Sequence, residues 1–192
     1  AYPVSNSPTH AIYAFSTGSF YEKSPYVNPP SPTFSSYLKA GVHVAVRALT
    51  ATTPSIRSFL LKDITKREGG TFGPRTQPTT TPLLLVPDAK HPNEKAIALF
   101  AVYDPDAGTC VGTSYVVRID FDPKNVTGAA ASTYTGGPGA ASGFVLSERG
   151  VVFAKSFVGE GGRAHFDVPE PPIEIPPPIP ENQTINFWRE LQ

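Results

Sequence analysis

The sequence predicts an all-β fold, an antiparallel β-sandwich of about eight strands. The 192 residues include 22 Pro and 16 Gly but only 17% charged side chains, against a usual quarter, which is typical of a turn-rich β protein. Several segments alternate apolar and polar residues with period two, as half-buried strands do. The length fits one domain, which can bury roughly 70% of its unfolded surface without a metal or disulfide. A single cysteine excludes an intramolecular disulfide.

The first strands are predicted near the N-terminus. Residues 11–15 form a short apolar stretch that can pair in a sheet. In residues 42–47 three valines alternate with His43, Ala45 and Arg47, which predicts a half-buried strand with His43 on its polar side.

A central hairpin is predicted over residues 96–121. Residues 96–103 are apolar at successive positions, as expected of a strand buried on both faces. Residues 114–122 then alternate strictly, with Tyr, Val, Ile and Phe on one side. The sequence between them, residues 104–109, contains Pro and Gly and predicts the connecting turn.

The remaining elements are four strands and one helix. Strands are predicted at residues 143–147, 151–158 and 163–168, with a short edge strand at 81–86. A helix is predicted over 55–67, because Thr53 can cap it, Pro54 suits its first position and Gly69 can end it. A strand through 58–64 is the alternative.

Three regions are expected along the chain. Residues 1–40 form an extended arm rich in aromatic residues and proline, and residues 41–168 form the sandwich. Residues 169–192 begin with seven prolines in twelve residues, which predicts a stiff polyproline II spacer. The apolar residues that follow form either an anchor for assembly or part of a disordered tail. The expected assembly contacts are Phe187, Trp188, Leu191, Tyr21 and Tyr26.

The motifs for chemistry point away from an enzyme. The sequence has no phosphate loop, dinucleotide fingerprint, zinc-protease motif or nucleophile elbow. Cys110 has no nearby His and is expected to be a small buried thiol. We therefore predict no catalytic activity, no cofactor and no metal.

Two pairs of carboxylates leave a calcium site open as an alternative. Asp104 and Asp106 lie in the predicted turn, and Asp120 and Asp122 end the returning strand. The hairpin should hold the two pairs some 30 Å apart at ~3.3 Å per residue. Asp as a turn residue is the simpler interpretation, and calcium binding by Asp104 and Asp106 stays an open question.

Charge is balanced overall but uneven along the chain. Residues 1–100 carry ten basic and five acidic side chains, a balance of +5, whereas residues 101–192 carry six and eleven, a balance of −5. No block of like charges forms a strong nucleic-acid-binding arm, and Lys62, Lys66 and Arg67 are expected on a solvated face. The two halves can instead attract each other between copies. No apolar run is long enough for a membrane span.

Two sequons begin at Asn125 and Asn182, both in loop-like sequence. They are possible glycosylation sites, and they matter only if the chain is exposed outside a eukaryotic cell.

Two segments resemble the jelly-roll coat proteins of small icosahedral viruses. Residues 39–47, KAGVHVAVR, look like an early strand of that family, and residues 112–123, GTSYVVRIDFDP, look like its closing strand. The resemblance implies a jelly-roll-like capsid protein in the virion, with copies of itself, other structural subunits and a host receptor as partners. The N-terminal Ala, the final Leu-Gln and the lack of Met would suit a chain cut from a viral polyprotein. The basic RNA-binding arm of many coat proteins is missing.

Two other classes remain open. One is an extracellular or cell-surface adhesin or pilus-type subunit that assembles by strand exchange. The other is a secreted carbohydrate-binding β-sandwich, in which exposed aromatic residues would form the binding site.

Overall fold

The structure is a computed structural model that describes residues 2–3, 9–18, 40–87, 94–107, 111–147, 150–156, 164–167 and 173. In these residues the regular structure is almost entirely antiparallel strand. The strands are β1 (Tyr2–Pro3), β2 (His10–Thr17), β3 (Gly41–Ala48), β4 (Ser55–Leu60), β5 (Gln77–Pro78), β6 (Leu83–Leu85), β7 (Ala96–Asp104), β8 (Thr113–Asp122), β9 (Asn125–Pro138), β10 (Ala141–Ser147), β11 (Gly150–Ser156) and β12 (Ala164–Asp167).

The strands form three sheets, each built from strands that follow one another in the chain. The first sheet has the order β1-β2-β3-β4, and the third has the order β10-β11-β12. The second has the order β5-β7-β8-β9, with β6 also paired to β7. A jelly roll instead connects its strands by Greek-key crossings between two sheets, and the described strands do not supply that order.

Two apolar cores separate the three sheets. The first core joins valines of β3, such as Val42 and Val44, to Phe100 of β7 and Phe121 of β8. The second core uses the other face of the second sheet and packs Leu99 against residues of the third sheet. The predicted central hairpin is confirmed, because β7 pairs with β8 from Ala96↔Phe121 to Asp104↔Thr113 and lies in both cores.

The helix predicted over residues 55–67 is wrong. Residues 55–60 form β4, which pairs with β3, and Leu61–Asp63 form a single 3-10 turn. The apolar spacing fits both structures, because Leu61 and Ile64 reach the first core after the strand ends. Pairing with β3 satisfies the backbone along that strand's free edge, which an isolated helix would leave open. The alternative, a strand through residues 58–64, overlaps β4 only at its end.

Strand β9, residues Asn125–Pro138, was not predicted from the sequence. It contains few large apolar residues, so its pattern is faint. Small side chains at Val126 and Ala129 nevertheless enter the first core, and Val126 is only 3% exposed. Backbone pairing with the edge of β8 holds β9 as a strand, although the composition of β9 does not predict one.

The described residues include parts of the two predicted appendages. Residues 10–17 pair with β3 along its full length. Ile173, within the proline-rich segment, is 2% exposed and packs in the second core.

Candidate interaction surface

The first sheet presents an apolar face away from the first core, which we name the outer face. Register places it on alternate residues of three strands, with Val42, Val44 and Val46 pointing the other way into the core. Phe15 is 38% exposed and Ile56 is 54% exposed on this face. The outer face comprises Ala11, Tyr13, Phe15, Thr17, Gly41, His43, Ala45, Arg47, Ile56, Ser58 and Leu60.

His43 lies at the centre of the outer face, between β2 and β4. Its Nε2 is 3.0 Å from Thr17 Oγ1, and its Nδ1 is 3.0 Å from Ser58 Oγ. The Phe15 ring stacks on the imidazole with a centroid distance of 4.9 Å. His43 lies on the side of β3 opposite the core valines, as predicted, but its neighbours bury it to 9% exposure.

Burial lowers the pKa of His43 below its ordinary value of 6.5. Desolvation disfavours the charged form, so the ring is neutral at neutral pH. A neutral imidazole offers one donor and one acceptor, and the hydroxyls of Thr17 and Ser58 can take either complementary role. Both ring nitrogens of His43 therefore have hydrogen-bond partners, and the uncharged imidazole serves as part of the surface.

The contact between Ser58 and His43 has the spacing of a nucleophile and its base. In such sites a third group, commonly a carboxylate, orients the base. Here Thr17, a neutral hydroxyl, occupies that position. The arrangement can take a proton from Ser58, but Thr17 brings no negative charge to stabilise the imidazolium that would form.

Arg47 lies at one end of the outer face. Its Nε is buried and has no hydrogen-bond partner among the residues that the structure describes. A buried donor without a partner costs free energy.

A second cluster, the Lys66 cluster, lies where residues 61–76 close one end of the first core. The Lys66 ammonium is 2.7 Å from the carboxylate of Asp104, and the two side chains are 12% and 1% exposed. The same ammonium sits over the rings of Phe72 and Tyr115, at 5.2 and 5.1 Å from their centroids. A carboxylate and two aromatic ring faces all attract a lysine ammonium. The Lys66 cluster therefore holds residues 61–76 against the end of the first core.

Hydrogen bonds tie this closure to β9. Arg67 donates its backbone N–H to Thr133 Oγ1 at 2.8 Å, and Thr135 donates to Glu68 at 3.4 Å. Burial, followed by the nearby carboxylate of Glu68, raises the pKa of Tyr115 far above its usual range. The tyrosine therefore stays neutral, which suits a packing role.

Two of the four carboxylates considered for calcium, Asp104 and Asp106, are already paired with cations. Asp104 binds Lys66, and Asp106 binds Arg75. Asp104 also accepts the backbone N–H of Asp106 at 3.1 Å, as a turn aspartate does. In the described part of the chain, no group of three or more His, Cys, Asp or Glu residues could hold a metal ion.

These ion pairs also affect the predicted attraction between the basic and acidic halves of the sequence. Lys66 and Arg75 belong to the basic half of the sequence, and their partners belong to the acidic half. Part of the predicted attraction between halves is therefore used within one chain. Lys66, expected on a solvated face, is largely buried.

Among the predicted site residues, only Asn125 lies in a described region. It is exposed at the turn between β8 and β9, where its Oδ1 accepts the backbone N–H of Thr127 at 2.9 Å. The other predicted residues lie outside the described part, as does Cys110: Tyr21, Tyr26, Asn182, Phe187, Trp188 and Leu191.

Sequence reasoning missed the outer face. The signal was present in β2, which is apolar on both sides: Tyr13 and Phe15 alternate with Ile12 and Ala14. A strand that is apolar on both faces predicts cover on both.

No helix in the described residues is long and apolar enough to cross a membrane. No protein-family model, curated protein or solved structure matches this chain.

Proposed function

We propose that this chain is a non-enzymatic structural subunit that self-assembles through its β-sandwich and extended termini into a viral capsid. The observation that carries the proposal is the outer face, on which Phe15 and Ile56 remain open to solvent beside buried neighbours. A contiguous apolar patch on a folded chain marks an interaction site.

The layering of the sheets supports this interpretation. The second sheet is covered on both faces by its two cores, whereas the cores formed by the described residues cover only one face of the first sheet. An antiparallel sheet that stays solvated normally carries polar residues on its open side. Beside the polar residues Thr17, His43, Arg47 and Ser58, this one carries Tyr13, Phe15, Ala45 and Ile56. Apolar side chains of this size on an open sheet face favour cover by a partner.

The finer parts of the proposal come from the resemblance to jelly-roll coat proteins. They are location in the virion, and partners that include other structural subunits and a host receptor. The described sheets support the all-β class of that family and an antiparallel sandwich.

Electron microscopy of the full chain tests the proposed function. Closed shells, or discrete oligomers that build them, are the expected result. Filaments would instead favour the pilus-type subunit that exchanges strands, and isolated monomers would favour the carbohydrate-binding module. Either of these outcomes contradicts the proposal.

The non-enzymatic part has its own test at the contact between Ser58 and His43. We expect a serine-directed fluorophosphonate probe to leave Ser58 unlabelled. Labelling that disappears in both Ser58→Ala and His43→Gln variants would contradict the proposal, because only an activated serine depends on both groups.

A further inference from the structure

We propose that Lys66 and Asp104 become joined by an intramolecular isopeptide bond, which forms between their side chains without an enzyme. The ion pair between them is the state before the bond forms. This modification lies inside one chain and does not depend on the proposed assembly. Three observations carry it: the contact between the two groups, the burial of the pair, and the backbone that holds both groups in place.

The amine and the carboxyl group of the pair are in contact. Lys66 Nζ lies 2.7 Å from Asp104 Oδ2. This contact brings the nitrogen near the separation of about 3–3.5 Å from the carboxyl carbon at which a bond can form. Asp104 Oδ1 accepts the backbone N–H of Asp106 at 3.1 Å. That N–H is placed to stabilise the negative charge that collects on Oδ1 when the nitrogen attacks, as in an oxyanion hole.

Burial favours the uncharged forms of the pair. The side chain of Lys66 is 12% exposed and that of Asp104 is 1% exposed. Phe72 and Tyr115 are 3% and 4% exposed, and their rings cover the nitrogen of the lysine. Removing two charges from water is costly even when they pair. Transfer of one proton from Nζ to Oδ2 along their hydrogen bond leaves a neutral amine, which is a nucleophile, beside a carboxylic acid.

The reaction balances within the pair. The lone pair of the neutral Nζ attacks Cγ of Asp104, and the C–N bond forms while the electrons of the Cγ–Oδ1 double bond move onto Oδ1. A second proton then passes from Nζ to Oδ2, the Cγ–Oδ2 bond breaks, and Oδ2 leaves as water. The nitrogen keeps one hydrogen, and Oδ1 becomes the amide carbonyl oxygen. An ammonium and a carboxylate therefore become an amide and one water molecule, with no oxidation, no reduction and no further reactant.

The backbone holds both groups in this geometry. The backbone N–H of Lys66 donates to the carbonyl of Gly70 at 2.9 Å, and its carbonyl accepts the N–H of Gly69 at 3.0 Å. Asp104 ends β7, where it pairs with Thr113 of β8. A reaction between two groups is accelerated when the fold sets their separation and orientation in advance.

The bond ties residues 61–76 covalently to the central hairpin. Lys66 and Asp104 are 38 residues apart in the chain. A cross-link that closes a loop of this length stabilises a fold by restricting the unfolded chain, as a disulfide does. The chain has a single cysteine and cannot form an internal disulfide for this purpose.

Mass spectrometry of the full-length chain in denaturant tests the inference, because a denaturant separates an ion pair and leaves an amide intact. We expect the purified, folded protein to be lighter than its sequence by one water molecule. A tryptic digest should contain a branched peptide in which Lys66 is joined to Asp104. A folded protein of full sequence mass would overturn the inference.

Two matched variants separate this bond from other losses of water. Lys66→Arg keeps a cation beside Asp104, but a guanidinium does not give up its proton and cannot attack the carboxyl group. Lys62→Arg makes the same change at a neighbouring exposed lysine. We expect Lys66→Arg to have its full sequence mass and Lys62→Arg to keep the loss of water.

A loss of water that persists in Lys66→Arg would overturn the inference, because it would arise at another site. An aspartate can also lose water by closing on the next backbone nitrogen, but the nitrogen after Asp104 belongs to Pro105 and carries no proton. The branched peptide is sought in the wild type, so it decides the question even if Lys66→Arg fails to fold. The mass is measured on single denatured chains, so failure of this inference leaves the proposed function standing, and the bond can form in a chain that never assembles.

Discussion

Two ion pairs at one turn show that burial determines how much an ion pair contributes to the stability of the fold. Asp104 and Asp106 are two residues apart, and each binds a cation from residues 61–76. Asp104 is 1% exposed, whereas Asp106 is 34% exposed and its partner Arg75 is 58% exposed. Solvent screens the outer pair, while the inner pair cannot lose a partner without leaving a buried charge.

We therefore predict unequal effects for two identical substitutions. Asp104→Asn should lower the free energy of unfolding by about 3 kcal/mol, because Lys66 keeps its charge in a buried position. Asp106→Asn should lower it by about 0.5 kcal/mol or less. Urea denaturation of both variants measures the difference. Equal losses would show that the Lys66 cluster does not secure the closure.

His43 predicts how stability depends on pH. Its pKa is lowered in the folded protein, so between that pKa and 6.5 the unfolded chain binds more protons than the folded one. Stability attributable to His43 is therefore full above pH 6.5 and falls as the pH decreases through this window. The His43→Gln variant should lack this component. Denaturation of both proteins from pH 5 to 8 tests the prediction, and parallel pH profiles would contradict it.

Turn geometry governs the central hairpin at the scale of an element. Gly112 has a φ of +65°, and a Cβ there would lie 2.6 Å from the Tyr103 hydroxyl oxygen. That hydroxyl donates to the carbonyl of Val111 at 2.7 Å, which holds the ring against the glycine. The close approach of the ring therefore requires glycine.

Two glycine substitutions should act in opposite directions. Gly112→Ala should cost about 2 kcal/mol or more, because it combines a left-handed backbone with the clash at Tyr103. Gly128→Ala, in β9, meets nothing within 4 Å and should be neutral or stabilise by about 0.5 kcal/mol. Thermal unfolding compares them. A neutral Gly112→Ala would show that the turn has another conformation in solution.

The sequence predicted strands wherever large side chains alternated or ran together. All eight predicted strands overlap strands of the structure, from β2 to β12. The prediction for the β4 residues was wrong because their apolar spacing also suits a helix, and pairing with the open edge of β3 decides for the strand. Strand β9 was missed because its small residues show little apolar alternation, and the strand depends on pairing with β8. Both failures are cases where a neighbouring strand determines the structure.

The site was less predictable than the fold. The outer face depends on the register between β2, β3 and β4, which brings Phe15, His43 and Ser58 side by side. The Lys66 cluster joins residues 38 apart in the chain. Neither group of contacts leaves a local sequence motif. A single sequence could therefore suggest only which residue types and which chain termini take part in a site.

At the scale of the whole molecule, Ile173 joins the predicted tail to the sandwich. It lies within the tail predicted from residue 169 and is buried in the second core. Ile173→Ala should therefore lower the free energy of unfolding by about 2–5 kcal/mol. Deletion of residues 174–192 should leave stability unchanged and weaken assembly. Chemical denaturation measures the stability of both variants and sedimentation measures assembly, and a neutral Ile173→Ala would contradict the packing of Ile173 in the second core.

The central claim is that this fold is a subunit of an assembly. Sedimentation velocity of the full chain over a thousandfold range of concentration, beside the Ile56→Lys variant, tests it most directly. The account predicts that the wild type converts cooperatively from monomer to one large discrete species, and that Ile56→Lys stays monomeric at tenfold higher concentration. A wild type that sediments as a monomer throughout would contradict it.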